Sequence, residues 1–221
     1  MTKLSPIAGP AATVQARGCD EKRPCEGEPR GGRIKKLEGY CRGMRRVVVF
    51  GTTGSGKSTV AMRLAEQTGL RVIELDALFW GRDWQPAPVE LFRHRVEREV
   101  GGTTPEEEGW IVVGNYGQVR DLVWQPADTL IWLDLPLPLV MWRLLRRTIR
   151  RIVTQEELWG TGNRESLRNA FFSRDSILLW ALKTHRRNRE KYMLECEFLA
   201  REKQVVRLKS THEVERFVAG A

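Results

Sequence analysis

The 221-residue chain has no apolar run near the ~18 residues a membrane span needs, and no apolar block at its N-terminus to form the middle of a signal peptide. Nothing in it points to membrane insertion or export, so the cytoplasm is the expected compartment. Cysteine is scarce. Cys19, Cys25, Cys41 and Cys196 match no common zinc spacing and read as free, reduced thiols. Histidine is scarcer still: His94, His185 and His212 stand apart, without metal-ligand spacing, and receive no role.

The formal net charge is +9, but it is unevenly spread. Residues 1 to 46 carry 11 Lys/Arg against 5 Asp/Glu, which leaves 26 against 23 for the rest. The global charge is therefore weak evidence for nucleic-acid binding by the folded part. Residues 1 to 43 are rich in Gly, Pro and charge without sustained periodicity, and are expected to be a disordered leader. A start at Met44 would leave the following domain intact. Residues 44 to 221 suit one compact α/β domain.

From Arg45 onward, strand and helix signals alternate. Residues 46 to 50, 71 to 75, 110 to 113, 129 to 133 and 204 to 208 read as short buried strands. Helices are expected over 57 to 68, 89 to 100, from about Pro138, from about Ser176, and over 211 to 218. Such alternation implies a parallel sheet with helices on both faces. We expect a P-loop three-layer sandwich, with five strands in the order 2-3-1-4-5.

Directly after the first strand comes Gly51-Thr52-Thr53-Gly54-Ser55-Gly56-Lys57-Ser58, followed by Thr59. Gly51, Gly56, Lys57 and Ser58 meet the pattern G-x-x-x-x-G-K-[ST] between a strand and a helix. The glycines let backbone N–H groups curl around phosphates, and the helix N-terminus adds partial positive charge. Lys57 places a cation on the phosphates, and the Ser58 hydroxyl can ligate Mg²⁺. ATP and Mg²⁺ are the expected ligands of residues 51 to 59.

The order of motifs resembles small nucleotide and metabolite kinases of the adenylate kinase and shikimate kinase type. It looks most like the bacterial group called adenylate kinase-related, or DNA topology modulation protein. The resemblance is carried by LDALFW (Leu75 to Trp80), GNY (Gly114 to Tyr116), LDLP (Leu133 to Pro136) and GNRES (Gly162 to Ser166). It implies that Asp76 faces the acceptor hydroxyl or a metal-bound water, a helix N-cap being the competing reading. Asp134 is a further candidate for Mg²⁺, or else a strand-terminal turn residue. Adenylate kinase-like enzymes carry an Asp just before the Gly of the third turn, where this chain has Val113.

Arg143, Arg146, Arg147, Arg150 and Arg151 recur at helical spacing along one face, with Met141, Trp142, Leu145, Ile149 and Ile152 favouring the other. A second cluster comprises Lys183, Arg186, Arg187, Arg189 and Lys191. In the resembled kinases the stretch between is a lid, here about 153 to 175, whose Arg reach the transferring phosphoryl group. Arg147, Arg164 and Arg174 are the candidates, because guanidinium forks suit spread negative charge. Phe79, Trp80 and Trp84 are read as core or as a stacking surface for a flat acceptor. Arg82, Arg93 and Arg120 either hold an acceptor phosphate or decorate the surface. Trp159 is expected in a polar stretch with little to pack against.

The expected activity is a monomeric ATP-dependent phosphotransferase acting on a small acceptor. Its rivals are a nucleotide-dependent nucleic-acid-binding protein and an ATP-binding module with little turnover.

Overall fold

The computed structural model describes residues 43–101, 109–165 and 176–220. In chain order the elements are β1 (Arg46–Gly51), α1 (Lys57–Thr68), β2 (Arg71–Glu74), α2 (Leu75–Phe79) and α3 (Val89–Val100). Then follow β3 (Trp110–Val113), α4 (Arg120–Trp124), β4 (Thr129–Leu133) and α5 (Leu137–Thr154). A small pair, β5 (Glu157–Leu158) and β6 (Asn163–Arg164), precedes α6 (Ile177–Leu199), β7 (Gln204–Leu208) and α7 (Thr211–Ala219). Single 3₁₀ turns occupy Arg82–Trp84 and Gly117–Val119.

The main sheet has five parallel strands in the order β2-β3-β1-β4-β7. With β7 as the fifth strand, this is the expected P-loop α/β fold. β1, β3 and β4 are buried on both faces, which explains their continuous apolar sequences. Alternate residues still serve different layers. Val47 and Val49 pack with Val60 and Leu64 of α1 and Phe217 of α7. Val48 and Phe50 pack with Phe92 of α3, Trp124 of α4 and Tyr192 of α6. Phe50 centres an aromatic group, 4.8 Å from Trp124 and 5.3 Å edge-on to Tyr192. Truncating such a ring typically costs about 3–5 kcal/mol.

Three local expectations change. β2 stops at Glu74 because Leu75 opens α2, where a loop was expected. α4 and the antiparallel β5–β6 pair are too short to leave a periodic signal. The third change concerns α5. Its buried line is Val140, Leu144 and Thr148, while Trp142 and Ile149 are 62% and 47% exposed. Val140 and Leu144 lie against the P-loop, and Trp142 is about 200° around the helix from Val140. Arg143, Arg147 and Arg151 flank the buried line and are half-buried. Arg146 and Arg150 are exposed, so the Arg face is split by the packing, and Trp142 and Ile149 of the apolar face turn outward. No helix among the described residues is long and apolar enough to cross a membrane.

Candidate active site

β1 ends at Gly51 and α1 begins at Lys57, so the glycine-rich segment forms the turn at the carboxyl edge of the central strand. Open α/β sheets bind ligands at this edge. Gly56 is the helix N-cap with φ 94°, a left-handed value that disfavours side chains, and no side chain caps the helix there. At Gly54, φ is +82° and a Cβ would lie 2.9 Å from both Leu144 Cβ and the Val140 carbonyl oxygen. The loop thus passes directly over α5.

Lys57 Nζ donates to the carbonyls of Gly51 and Thr52, each at 3.2 Å. Burial holds its pKa down at about 8, and the Arg147 guanidinium adds to the depression, whereas Asp76 and Glu74 oppose it. Arg143 Nη1 donates to the Ser55 carbonyl at 3.3 Å. The Ser55 hydroxyl is buried without a hydrogen-bond partner, while Thr53 is half-buried and Ser58 and Thr59 are exposed. Thr52 Oγ1 lies 3.1 Å from His185 Nδ1 of α6. His185 had no role in the sequence reading, yet it touches the loop across 133 positions of chain. Burial lowers its pKa, with the Asp134 carboxylate opposing.

Asp76 lies in the first turn of α2, whose N-cap is Glu74, so it is not the cap. Its Oδ1 accepts from the Tyr116 hydroxyl at 2.6 Å. Burial first, and then the Asp76 charge, push the Tyr116 hydroxyl well above its ordinary pKa, which keeps it a donor. Arg147 shares this field: burial and Arg151 lower its pKa, while Glu165 and Asp76 raise it, and its Nε is enclosed without a partner. Asp76 therefore acts on both Lys57 and Arg147.

Asp134 is only 5% exposed and is held by two guanidinium groups. Arg189 Nε lies 2.9 Å from Oδ1, and Arg207 Nη2 lies 2.5 Å from Oδ2. Its oxygens tie α6 to β7, which leaves little for a metal ion. Val113, 5% exposed, is core, and Glu74 stands opposite it in register on β2. Among the described residues, no three His, Cys, Asp or Glu cluster as a metal site.

Arg164, on β6, is exposed; Arg174 and the lid residues 166 to 175 lie outside the described residues. The described part of that stretch packs against the other wall. Asn163 Nδ2 donates to the Gly81 carbonyl at 2.8 Å, and its Oδ1 accepts from the Trp84 amide at 3.0 Å. Trp159 is not short of packing. Its ring lies 6.0 Å edge-on to Trp84, and its Nε1 donates to Glu74 Oε2 at 3.4 Å. Trp84 meets Trp80 at 5.8 Å, Trp80 meets Phe79 at 4.9 Å, and Phe79 meets Tyr116 at 4.7 Å. An aromatic arc thus runs from Glu74 round to Asp76. Phe79 also packs on buried Phe92, so the arc is rooted in the core. No local pattern announced Glu74 or Trp159, because their contact spans 85 positions.

Two of the other candidate cations are already paired. Arg93 pairs with both oxygens of Asp121, at 2.8 and 2.6 Å. Arg120 pairs with Glu195, donates to Asn115 Oδ1 at 2.8 Å and covers the Trp124 ring. Arg82 is exposed.

Comparison with known proteins finds a family model, "Isopentenyl transferase", matching residues 44–79. The match covers β1, the loop, α1, β2 and α2, and ends before the Arg82–Trp84 turn. No curated protein matches. Among solved structures, an unliganded sugar kinase from Janibacter sp. HTCC2649 aligns at TM-score 0.45 and 20% identity, covering 80% of this chain and 91% of that one. A gluconokinase from Sinorhizobium meliloti 1021 aligns at TM-score 0.39 and 20% identity, covering 80% and 90%.

Proposed function

We propose that this chain is an ATP-dependent phosphotransferase that moves the γ-phosphoryl group of ATP to a hydroxyl of a small acceptor. One observation carries the proposal: Asp76, held by the Tyr116 hydroxyl, shares one charge field with Arg147 and with Lys57, whose Nζ rests on the loop carbonyls. A cation on the donor, a carboxylate for the incoming hydroxyl and a guanidinium between them are what phosphoryl transfer needs.

The loop also fits a phosphate chain. Gly56 leaves the helix N-terminus uncapped by any side chain, and the Ser55 hydroxyl is enclosed and unsatisfied. A phosphate oxygen is the natural partner for such a donor. Residues 51 to 59 would hold the phosphates, and the Ser58 hydroxyl would hold Mg²⁺. Bound there, Mg²⁺ supplies charge neutralisation on the phosphate oxygens. Asp134 serves instead as the anchor between α6 and β7.

Asp76 accepts from Tyr116 through one oxygen, which leaves the other for the acceptor O–H. As the acceptor oxygen bonds to the γ-phosphorus, its proton passes to Asp76, the bond to the β,γ-bridging oxygen breaks, and ADP leaves. Lys57 and Arg147 stabilise the negative charge spread over the transferring group. Arg164 and Arg174 would add to this if the lid carried them in. We expect the protein to work as a monomer in the cytoplasm, within the adenylate kinase-related group.

Transfer of label from γ-labelled ATP to a panel of nucleosides, nucleotides and hydroxyl metabolites tests the reading, with Lys57→Ala as the blank. A labelled ester is expected with the wild-type chain alone. Intact ATP binding with no ester and no ADP would reduce the protein to a binding module.

The nucleic-acid reading keeps one observation in its favour. Lys183, Arg186 and Arg187 are exposed together on α6. Partial neutralisation weakens it, since Arg186 pairs with Glu190 and Lys191 with Glu195. Retention on DNA that falls steeply between about 50 and 200 mM salt would revive it.

A further inference from the structure

This inference rests on the phosphotransferase reading and concerns what the acceptor is. Beyond the end of β2, three indole rings are joined with a carboxylate at each end of the arc, Glu74 and Asp76. Both lie at the carboxyl end of β2, the edge of the parallel sheet at which β1 opens into the loop, and both act on Lys57. Indole rings pack well on the C–H face of a sugar or the face of a base. Carboxylates accept from hydroxyl and amino groups and repel anions.

A phosphorylated or carboxylated acceptor needs a cation of its own, and three guanidinium groups near the wall are already engaged. Arg93 is bidentate on Asp121, Arg120 is held by Glu195 and Asn115, and Arg95 donates to the Leu78 carbonyl at 2.9 Å. Arg82 and Arg164 are exposed to solvent. Asp76 acts on both Lys57 and Arg147, and Glu74 acts on Lys57; in the phosphotransferase reading these two cations serve the transferring phosphates.

We propose that the acceptor is an uncharged hydroxyl compound with one apolar ring face, bound by hydroxyls on Glu74 and Asp76 and by its ring against the Trp80–Trp84–Trp159 arc. A free sugar and a nucleoside share this chemistry. The test uses the full chain and matched pairs: a hexose against its 6-phosphate, an aldose against its aldonate, a nucleoside against its 5′-monophosphate. Binding is read from tryptophan emission in the absence of ATP, and transfer is read with γ-labelled ATP.

The uncharged member of a pair should bind and react at least about tenfold better, and the responding pair separates sugar from nucleoside. Trp159→Ala should raise the acceptor Kd about tenfold with no change for Mg-ATP. Trp159→Phe, which keeps a ring, should restore part of the loss even if the alanine variant folds poorly. Glu74→Gln should narrow the discrimination against the anionic member. Preference for the anionic member, equal binding of both, or no binding of either overturns the inference. Binding preference without transfer supports this acceptor class and sinks the phosphotransferase reading, so the two failures are distinguishable.

Discussion

The loop from Gly51 to Gly56 takes its shape from its own backbone, whereas the wall opposite is assembled from side chains as far apart as Glu74 and Trp159, 85 positions away. Glycine at positive φ and an uncapped helix start are local properties, set within a few residues. The wall is instead a chain of ring contacts and hydrogen bonds that exists only once the β5–β6 pair has docked near the Arg82–Trp84 turn. In the proposed phosphotransferase, a site built this way can keep its donor half constant while its acceptor half changes. The two halves should therefore fail separately when mutated.

The largest effect is expected at Lys57. Lys57→Ala should lower kcat/KM by about 10³-fold, the scale of losing a preorganised group that stabilises the transition state. The apo melting temperature should hold or rise, because a buried cation is removed. Steady-state kinetics beside a thermal melt give both readings. Asp76→Asn comes next, with kcat lower by about 10²-fold, as for a lost general base, and with Mg-ATP affinity intact. A variant that bound ATP poorly would move Asp76 to the donor half.

The same division explains what could be read in the sequence. The β-branched strands, the order of the sheet and the loop were all legible, because each rests on short-range pattern: apolar runs of strand length, then glycine and lysine at fixed offsets. The position of Asp76 was legible from where β2 ends. The partners of the site residues were not. Asp134 looks like any strand-terminal carboxylate until α6 and β7 bring Arg189 and Arg207 to it. His185 carries no local signal and reaches Thr52 only through the path of α6. On α5 the helical period was correct but the buried face was not, since contact with the loop decides which stripe turns inward.

Asp134 gives a third test. Asp134→Ala should cost about 1–3 kcal/mol in a urea melt, the scale for stranding hydrogen-bonded charged partners, with the Mg²⁺ dependence of turnover unchanged. A shifted Mg²⁺ dependence at unchanged stability would return Asp134 to the metal.

The smallest effect concerns pH. Lys57 has a folded pKa of about 8, below its ordinary 10.5, so the unfolded chain holds more protons between those values. The cost of burying its charge is carried in full below pH 8 and relieved as pH rises toward 10.5. Phosphate binding needs the charged form. Mg-ATP affinity should therefore fall by about tenfold from pH 7 to pH 9, with proton uptake on binding, seen as a buffer-dependent heat.

Calorimetric titration of Mg-ATP into three proteins, the wild-type chain, Lys57→Ala and Asp76→Asn, tests most directly the separation of donor loop from acceptor wall. The wild-type chain and Asp76→Asn should bind one equivalent with the same affinity, and Lys57→Ala should show no measurable binding. Equal binding by all three would contradict the placement of the phosphates on the loop, and equal loss in both variants would contradict the division between the two halves.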